Sequence, residues 1–240
     1  MQTTLCFDLG NTRLKCAIFV NNEFKEVIVL NDDSVLTVED IIHQYQPQKS
    51  ILSSVINHNP EIEVVLEKST AFHKLGPSSK INFTTPIGKP ETIGADRLAI
   101  CAAAVDLFPN NHVLTIALGT CITFNYTNKL HQFLGGSISP GMYMRFKAMN
   151  EQTALLPLVK PTLNFPLVGY DTATNLQSGV ILGMAKEIDG IIDLYKEKFD
   201  DIQIILTGGD MEFFTPHIRN SLIADPYLLY KGLLAISKAN

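Results

Sequence analysis

The feature that most constrains this chain is a glycine turn between apolar strands that occurs twice. "LCFDLGNTRLKCAIF" (residues 5–19) and "LTIALGTCITFNY" (residues 114–126) each run from an apolar strand through Leu-Gly and a Thr into a second apolar strand. Alternating apolar residues on both sides predict strands rather than helices. The early copy carries Asp8 just before its turn, whereas the later copy has Ala117. A recurrence of this kind points to a duplicated structural unit.

The surroundings repeat as well. "TTLCFDL", "RLKCAIFV" and "FKEVIVL" read as three strands joined by turns at Gly10-Asn11 and Asn21-Asn22, an antiparallel meander. A helix over "SVLTVEDIIHQYQ", capped by Ser34 or Thr37, follows them. Then come a buried strand "SILSSVI", a helix opened by Pro60, a polar connection from Pro77 to Pro90, and a buried helix over "DRLAICAAAVDLF". The second round has strands at "HVLTIAL", "CITFNYT" and "KLHQFLGG" and helices at "MYMRFKAMNEQTALL" and "ATNLQSGVILGMAKEIDGIIDLYKEKF". It ends with a strand "IQIILTGGD" and a helix near "YLLYKGLLAISKA". The expected fold class is α/β, with two similar domains, residues 1–110 and 111–240, and a cleft between them.

Composition narrows the function. With 46% hydrophobic and 18% charged residues, the 240-residue chain has the makings of an ordinary folded core. A net charge of -5 without a basic stripe argues against nucleic acid as a partner. No apolar run approaches the ~20 residues that cross a bilayer, and "MQTTLCFDLG" lacks the pattern of a signal peptide. Cys6, Cys16, Cys101 and Cys121 sit in apolar contexts without a C-x-x-C pair, as small buried hydrophobes of a reduced cytoplasmic protein do. The six histidines form no zinc-binding cluster.

Chemistry concentrates in a few stretches. In "DLGNT", Gly10 permits a tight turn and close approach of an anion to the backbone, while Asn11 and Thr12 add an amide and a hydroxyl. Asp8 is suited to a hydrated Mg²⁺, and Lys15 adds positive charge near phosphates. The plain alternative is a hairpin turn with a solvated aspartate. The second turn, Leu118-Gly119-Thr120, suits a grip on a polyphosphate from the other end. At "ILTGGD", Gly208 and Gly209 either leave room for a flat base or merely turn the chain. In "ETIGADR", Asp96 is either the N-cap of the helix behind it or a base for a hydroxyl acceptor, with Arg97 clamping the acceptor's carboxylate.

"DLGNT", "GADR", "LGT", "GGSISPG", "YDTATNLQSGV" and "LTGGD" occur in the order and spacing of type III pantothenate kinases, and the resemblance covers nearly the whole chain. It implies the acetate and sugar kinase, Hsp70 and actin superfamily, with ribonuclease H-like (actin-like ATPase) domains. It implies phosphorylation of pantothenate with ATP and Mg²⁺, the first step toward coenzyme A, by a homodimer. Carried over by position, Asp8, Leu9, Gly10, Asn11, Thr12, Arg13, Leu14 and Lys15 become the first phosphate loop, and Thr120 a second contact to ATP. Asp96 becomes the general base, with Gly94, Ala95 and Arg97 in the pantothenate pocket. Thr172 becomes a threonine reaching the substrate from the partner subunit, and Arg145 lies on a dimer and active-site segment.

The chain departs from the family at three places. The family's second turn begins with an aspartate that helps bind K⁺ or NH₄⁺; here it is Ala117, and Asn125 replaces a second aspartate. A methyl group cannot ligate a hard cation. The pocket tyrosine before "GADR" corresponds to Phe83 or Ile87, depending on which proline is aligned, and neither has a phenolic hydroxyl. The open alternatives are a nucleotide-binding protein without turnover and a kinase for another small hydroxy acid.

Overall fold

The computed structural model describes residues 2–86, 88 and 90–240, so Ile87 lies outside the described residues. The repeat in the sequence is a repeat in topology. β1 (Thr3–Leu9), β2 (Leu14–Val20) and β3 (Glu23–Leu30) form the meander, and Asn21 and Asn22 turn it with φ of 51° and 69°. Asparagine tolerates that left-handed backbone, which matches the twist of a two-residue hairpin. α1 (Val35–Tyr45) starts at Ser34, whose hydroxyl accepts from the Thr37 N–H at 3.2 Å. β4 (Lys49–Ser54), α2 (Glu61–Ser69) and β5 (Ala71–Lys74) complete a sheet of order β3-β2-β1-β4-β5. β1 is antiparallel to β2 and parallel to β4.

After α3 (Ala95–Leu107), β6 (Val113–Leu118), β7 (Cys121–Asn128) and β8 (Gln132–Pro140) restart the pattern. α4 (Met142–Glu151) stops five residues before the sequence pattern suggests. α5 (Thr172–Lys198) is 27 residues long and opens on a reciprocal capping box between Asp171 and Thr174. β9 (Gln203–Thr207), the short α6 (Met211–Phe214), β10 (Ile223–Ala224) and α7 (Leu228–Ala239) finish the chain. The second sheet runs β10-β9-β6-β7-β8, which is the first sheet's order with each strand replaced by its counterpart. The mixed five-stranded sheet made twice is the expected actin-like ATPase arrangement. β5 and β10 are too short and too weakly patterned to have been read from sequence.

The chain divides into two compact units: Met1–Pro109 with Leu130–Leu134 and Tyr227–Asn240, and Asn110–Lys129 with Gly135–Pro226. The terminal helix α7 thus belongs with the first sheet, whereas a division at residue 110 assigns it to the second half. The reason is packing. α3 is buried from Leu98 to Val105, much of it alanine, and it receives α7 at very short range. In unit 1 one face of the sheet buries Leu5, Phe7, Leu9, Cys16 and Leu52 under α1 and α2. Each such side chain contributes roughly 2 kcal/mol. Because side chains alternate along a strand, Cys6, Asp8, Ile51 and Ser53 point to the other face, the one toward α3 and α7. Unit 2 has its own core, in which Leu114, Ile116, Phe124 and Leu206 meet Ile181, Met184 and Ile188 of α5.

Gly232 sets the α3–α7 distance, because a Cβ there would overlap the Ala99 carbonyl. On a free helix surface Gly→Ala gains roughly 1 kcal/mol. Here the helices must part, at about 3 kcal/mol. Gly232→Ala is therefore expected to lower stability by about 2 kcal/mol in urea unfolding. A stabilised variant would mean that the two helices do not pack this closely.

Candidate active site

The site is built on the ends of β1, β2 and β4 and the start of α3, all within unit 1. Antiparallel register sets Lys15 directly opposite Asp8, and parallel register sets Ser53 beside it. The turn that follows, Gly10–Arg13, is closed by the Gly10 N–H donating to the Arg13 carbonyl at 3.2 Å. Asn11, Thr12 and Arg13 are exposed at its tip. With Leu14, Val29, Leu30, Asn31 and Ile56, this turn lines a cavity of about 280 Å³. Leu9, by contrast, is fully buried in the core under the turn, and it holds the loop rather than facing it.

Asp8 is mostly buried, and that dominates its chemistry. Burial, and after it the nearby Asp96, push its carboxyl up to about 6 against the pull of Lys15, which lowers it. Tyr230 of α7 shares this environment. Its hydroxyl is held well above the ordinary range by burial first and then by Asp8. Two acids close together in a poorly solvated place favour positive charge beside them.

Asp96 does not cap α3. Gly94 is the N-cap, Ala95 begins the helix, and no side chain caps the helix end. The Asp96 carboxylate instead folds back to accept from the Arg97 N–H at 2.8 Å. It occupies the space that a Gly94 side chain would fill, since a Cβ there would sit 2.5 Å from Oδ1. The glycine in "GADR" therefore makes room for the carboxylate. The Arg97 guanidinium lies 5.4 Å from the centre of the Phe133 ring, a cation–π contact. Phe133 meets Phe83 edge-on, with centroids 6.3 Å apart at 72°. Phe83 is thus a buried ring one residue removed from Arg97. Phe133 and Tyr230 were not legible in the sequence, because one lies in an unremarkable strand and the other in an apolar helix.

In unit 2 the second turn is Leu118–Cys121, closed by Gly119 N–H donating to the Cys121 carbonyl at 3.0 Å, with Thr120 exposed. Ala117, the counterpart of Asp8, has Thr123 and Thr207 as register neighbours. Asn125 is fully buried, and its amide donates to the Thr115 carbonyl at 3.2 Å and the Thr123 hydroxyl at 3.0 Å. A methyl group and an amide turned to its own sheet do not make a monovalent-cation site. Among the described residues, no three His, Cys, Asp or Glu side chains gather to hold a metal.

Gly208 has φ of +100°, and its Cα lies against the Leu118 backbone. That close approach accounts for the glycine without any ligand, whereas the space beside Gly209 is open. Thr172 is the first residue of α5 and is exposed beyond the capping box. Arg145 pairs with Glu187 at 2.5 Å and donates to the Pro140 carbonyl at 2.8 Å, which ties α4 to α5 and to the end of β8. Among the described residues no helix is long and apolar enough to cross a membrane.

Comparison with known proteins now bears on the whole chain. A Baf-family protein of Campylobacter jejuni superposes with a TM-score of 0.59 at 23% identity, covering 98% of this chain and 97% of the other. The ethanolamine utilization protein EutJ of Carboxydothermus hydrogenoformans superposes with a TM-score of 0.50 at 9% identity, covering 100% and 90%. Both likenesses concern the fold. Type III pantothenate kinases of Christiangramia forsetii and Bacteroides fragilis are 39% and 36% identical, each over 98% of both chains. That of Porphyromonas gingivalis is 33% identical over the full length of both. The sequence model of that family, "Type III pantothenate kinase", matches residues 4–194. From Asp8 in the first strand to α5, this chain belongs to the type III pantothenate kinase family, and it is a phosphotransferase.

Proposed function

We propose that the chain transfers the γ-phosphoryl group of ATP to the primary hydroxyl of pantothenate at the face of the first sheet occupied by Asp8, Lys15 and Asp96. The observation that carries this reading is the convergence of two carboxylates and a lysine beside an exposed glycine turn. The Gly10–Arg13 turn and Lys15 bind the phosphates. Asp96 accepts the proton of the attacking hydroxyl. Arg97, braced on Phe133, holds the pantothenate carboxylate, beside Gly94 and Ala95.

Mg²⁺ fits this donor set. It is ordinarily held by one or two carboxylates, waters and substrate phosphates, and Asp8 is a buried carboxylate with a second one near it. Bound there, it would supply neutralisation of charge on the transferring phosphoryl oxygens. K⁺ and NH₄⁺ do not fit Ala117 and Asn125, and no step is assigned to them. A homodimer in which Thr172 reaches the partner's substrate is supported by the apolar surface on the segment before it. Leu155, Leu167, Val168 and Tyr170 are 78–91% exposed in the single chain.

Asp96→Asn tests the base. Turnover of pantothenate, followed by ADP release, is expected to fall by at least about a hundredfold, while ATP affinity and melting temperature stay near the wild-type values. A matching loss of ATP binding would make Asp96 structural. Wild-type turnover is expected to be equal in K⁺ buffer and in Tris free of K⁺ and NH₄⁺. Turnover only with K⁺ would show that other oxygens replace the missing carboxylates. Silence in both, from a folded protein that binds ATP, favours a nucleotide-binding protein without turnover.

Asp8 also predicts a pH dependence of stability. Its folded pKa of about 6 lies above the ordinary 3.8, so the folded state holds the proton more tightly. That contribution is complete below pH 4 and is lost as pH rises through 6. Relative to Asp8→Asn, the wild type is expected to lose ~2 kcal/mol of stability between pH 4 and pH 8 without Mg²⁺ or nucleotide. Urea midpoints of the two proteins that run parallel across this range would show Asp8 to be well solvated.

A further inference from the structure

Ser53 on β4 is fully buried, and its hydroxyl has no hydrogen-bond partner among the described residues. Buried hydroxyls are nearly always paired, so an orphan asks for a reason. Its place in the sheet supplies one. Parallel register sets Ser53 beside Asp8, and alternation puts both on the face away from Phe7 and Leu52. Same-face neighbours on adjacent strands are about 5 Å apart, close enough for an O–H···O⁻ bond of about 2.7 Å once both side chains turn to it.

The other orphans differ. Thr115 has Asn125 and Ile205 as register neighbours, Thr127 has Val113, and His217 sits among Phe165, Phe213 and Phe214. Of the three orphans that lie on strands, Ser53 is the one whose register sets it next to a carboxylate. Asp8 already has a positive partner on its other flank, Lys15 of β2. What it lacks is a donor from β4.

We infer that Ser53 is a positioning residue for the transfer, its hydroxyl donating to the Asp8 carboxylate and fixing which oxygen faces the cation and the ATP phosphates. This rests on the reading of Asp8 as the cation-bearing carboxylate. The hydroxyl matters when Asp8 is ionised and loaded, and without a ligand it has nothing to do. Serine suits the position because it brings a donor to the face under α7, whose contacts reach both β1 and β4. Alanine would fit as well but brings no donor.

The test is binding rather than turnover. A non-hydrolysable ATP analogue is titrated calorimetrically into the full chain, once with Mg²⁺ and once with EDTA. The wild type, Ser53→Ala, Ser53→Thr and Asp8→Asn are compared, with melting temperatures recorded for each. Ser53→Ala is expected to bind about tenfold more weakly with Mg²⁺, the scale of one hydrogen bond to a charged group, and as the wild type does with EDTA. Ser53→Thr, which restores a hydroxyl, is expected to recover most of the loss. If Ser53→Ala binds like the wild type in both conditions while Asp8→Asn loses its Mg²⁺-dependent affinity, the inference about Ser53 fails and the site stands. A Ser53→Thr variant as weak as Ser53→Ala overturns the inference too, since the hydroxyl is then not the cause. If Asp8→Asn itself binds like the wild type with Mg²⁺, the reading of Asp8 falls and the role of Ser53 falls with it.

Discussion

A carboxylate placed where water is scarce governs this molecule. Asp8 ends a fully buried stretch of β1, and a second acid, Asp96, raises its proton affinity further. Such a group is costly for the folded chain to keep ionised, and in the proposed function that cost is recovered when a cation and phosphates arrive. The surrounding architecture follows from that need. β2 brings Lys15 to one side, β4 brings Ser53 to the other, and α3 delivers Asp96 from a helix start whose glycine leaves room for the carboxylate. α7 then closes over the same face, so closely that Gly232 has no space for a methyl group.

The duplicated sheet shows what the fold requires and what the chemistry adds. Both copies share strand order, the antiparallel first pair and the parallel crossover neighbour. Both turn at Leu-Gly after the first strand. Where the first copy has Asp8, the second has Ala117, beside a buried Asn125 whose amide serves its own sheet. The turn is therefore a property of the scaffold. The carboxylate is the part that differs, and it resides in the first copy alone.

Much of this was legible because the signals were local. Alternating strands around Gly10 and Gly119, the apolar helix after "GADR" and the glycine pair after β9 each carry their own pattern. The assignment of α7 was not legible, because a helix at the end of the chain says nothing about which sheet it joins. The partner is fixed by the alanine face of α3, a contact between residues more than 120 apart. The same holds at the site. Asp8, Lys15 and Asp96 stood out as residue types beside glycines. Phe133 and Ser53 matter only through the neighbours that register and folding give them. Asp96 as a cap was a fair local inference, overturned because the helix starts two residues earlier and Gly94 takes that position.

The two arginines show how far residue type alone carries an argument. Arg145, on the segment tied by resemblance to the dimer, is engaged with Glu187 and the Pro140 carbonyl. It spends its donors on joining α4 to α5 and β8, so its role in the single chain is to fix that segment's geometry. Arg97 lies against the aromatic ring of Phe133, a cation–π contact that a guanidinium makes well. A guanidinium oriented by a ring can still form a bidentate pair with an incoming carboxylate. A lysine in its place would keep the charge and lose both the stacking and the fork. That difference is why the pair Asp96-Arg97, rather than an acid and any base, suits an acceptor that carries a hydroxyl at one end and a carboxylate at the other.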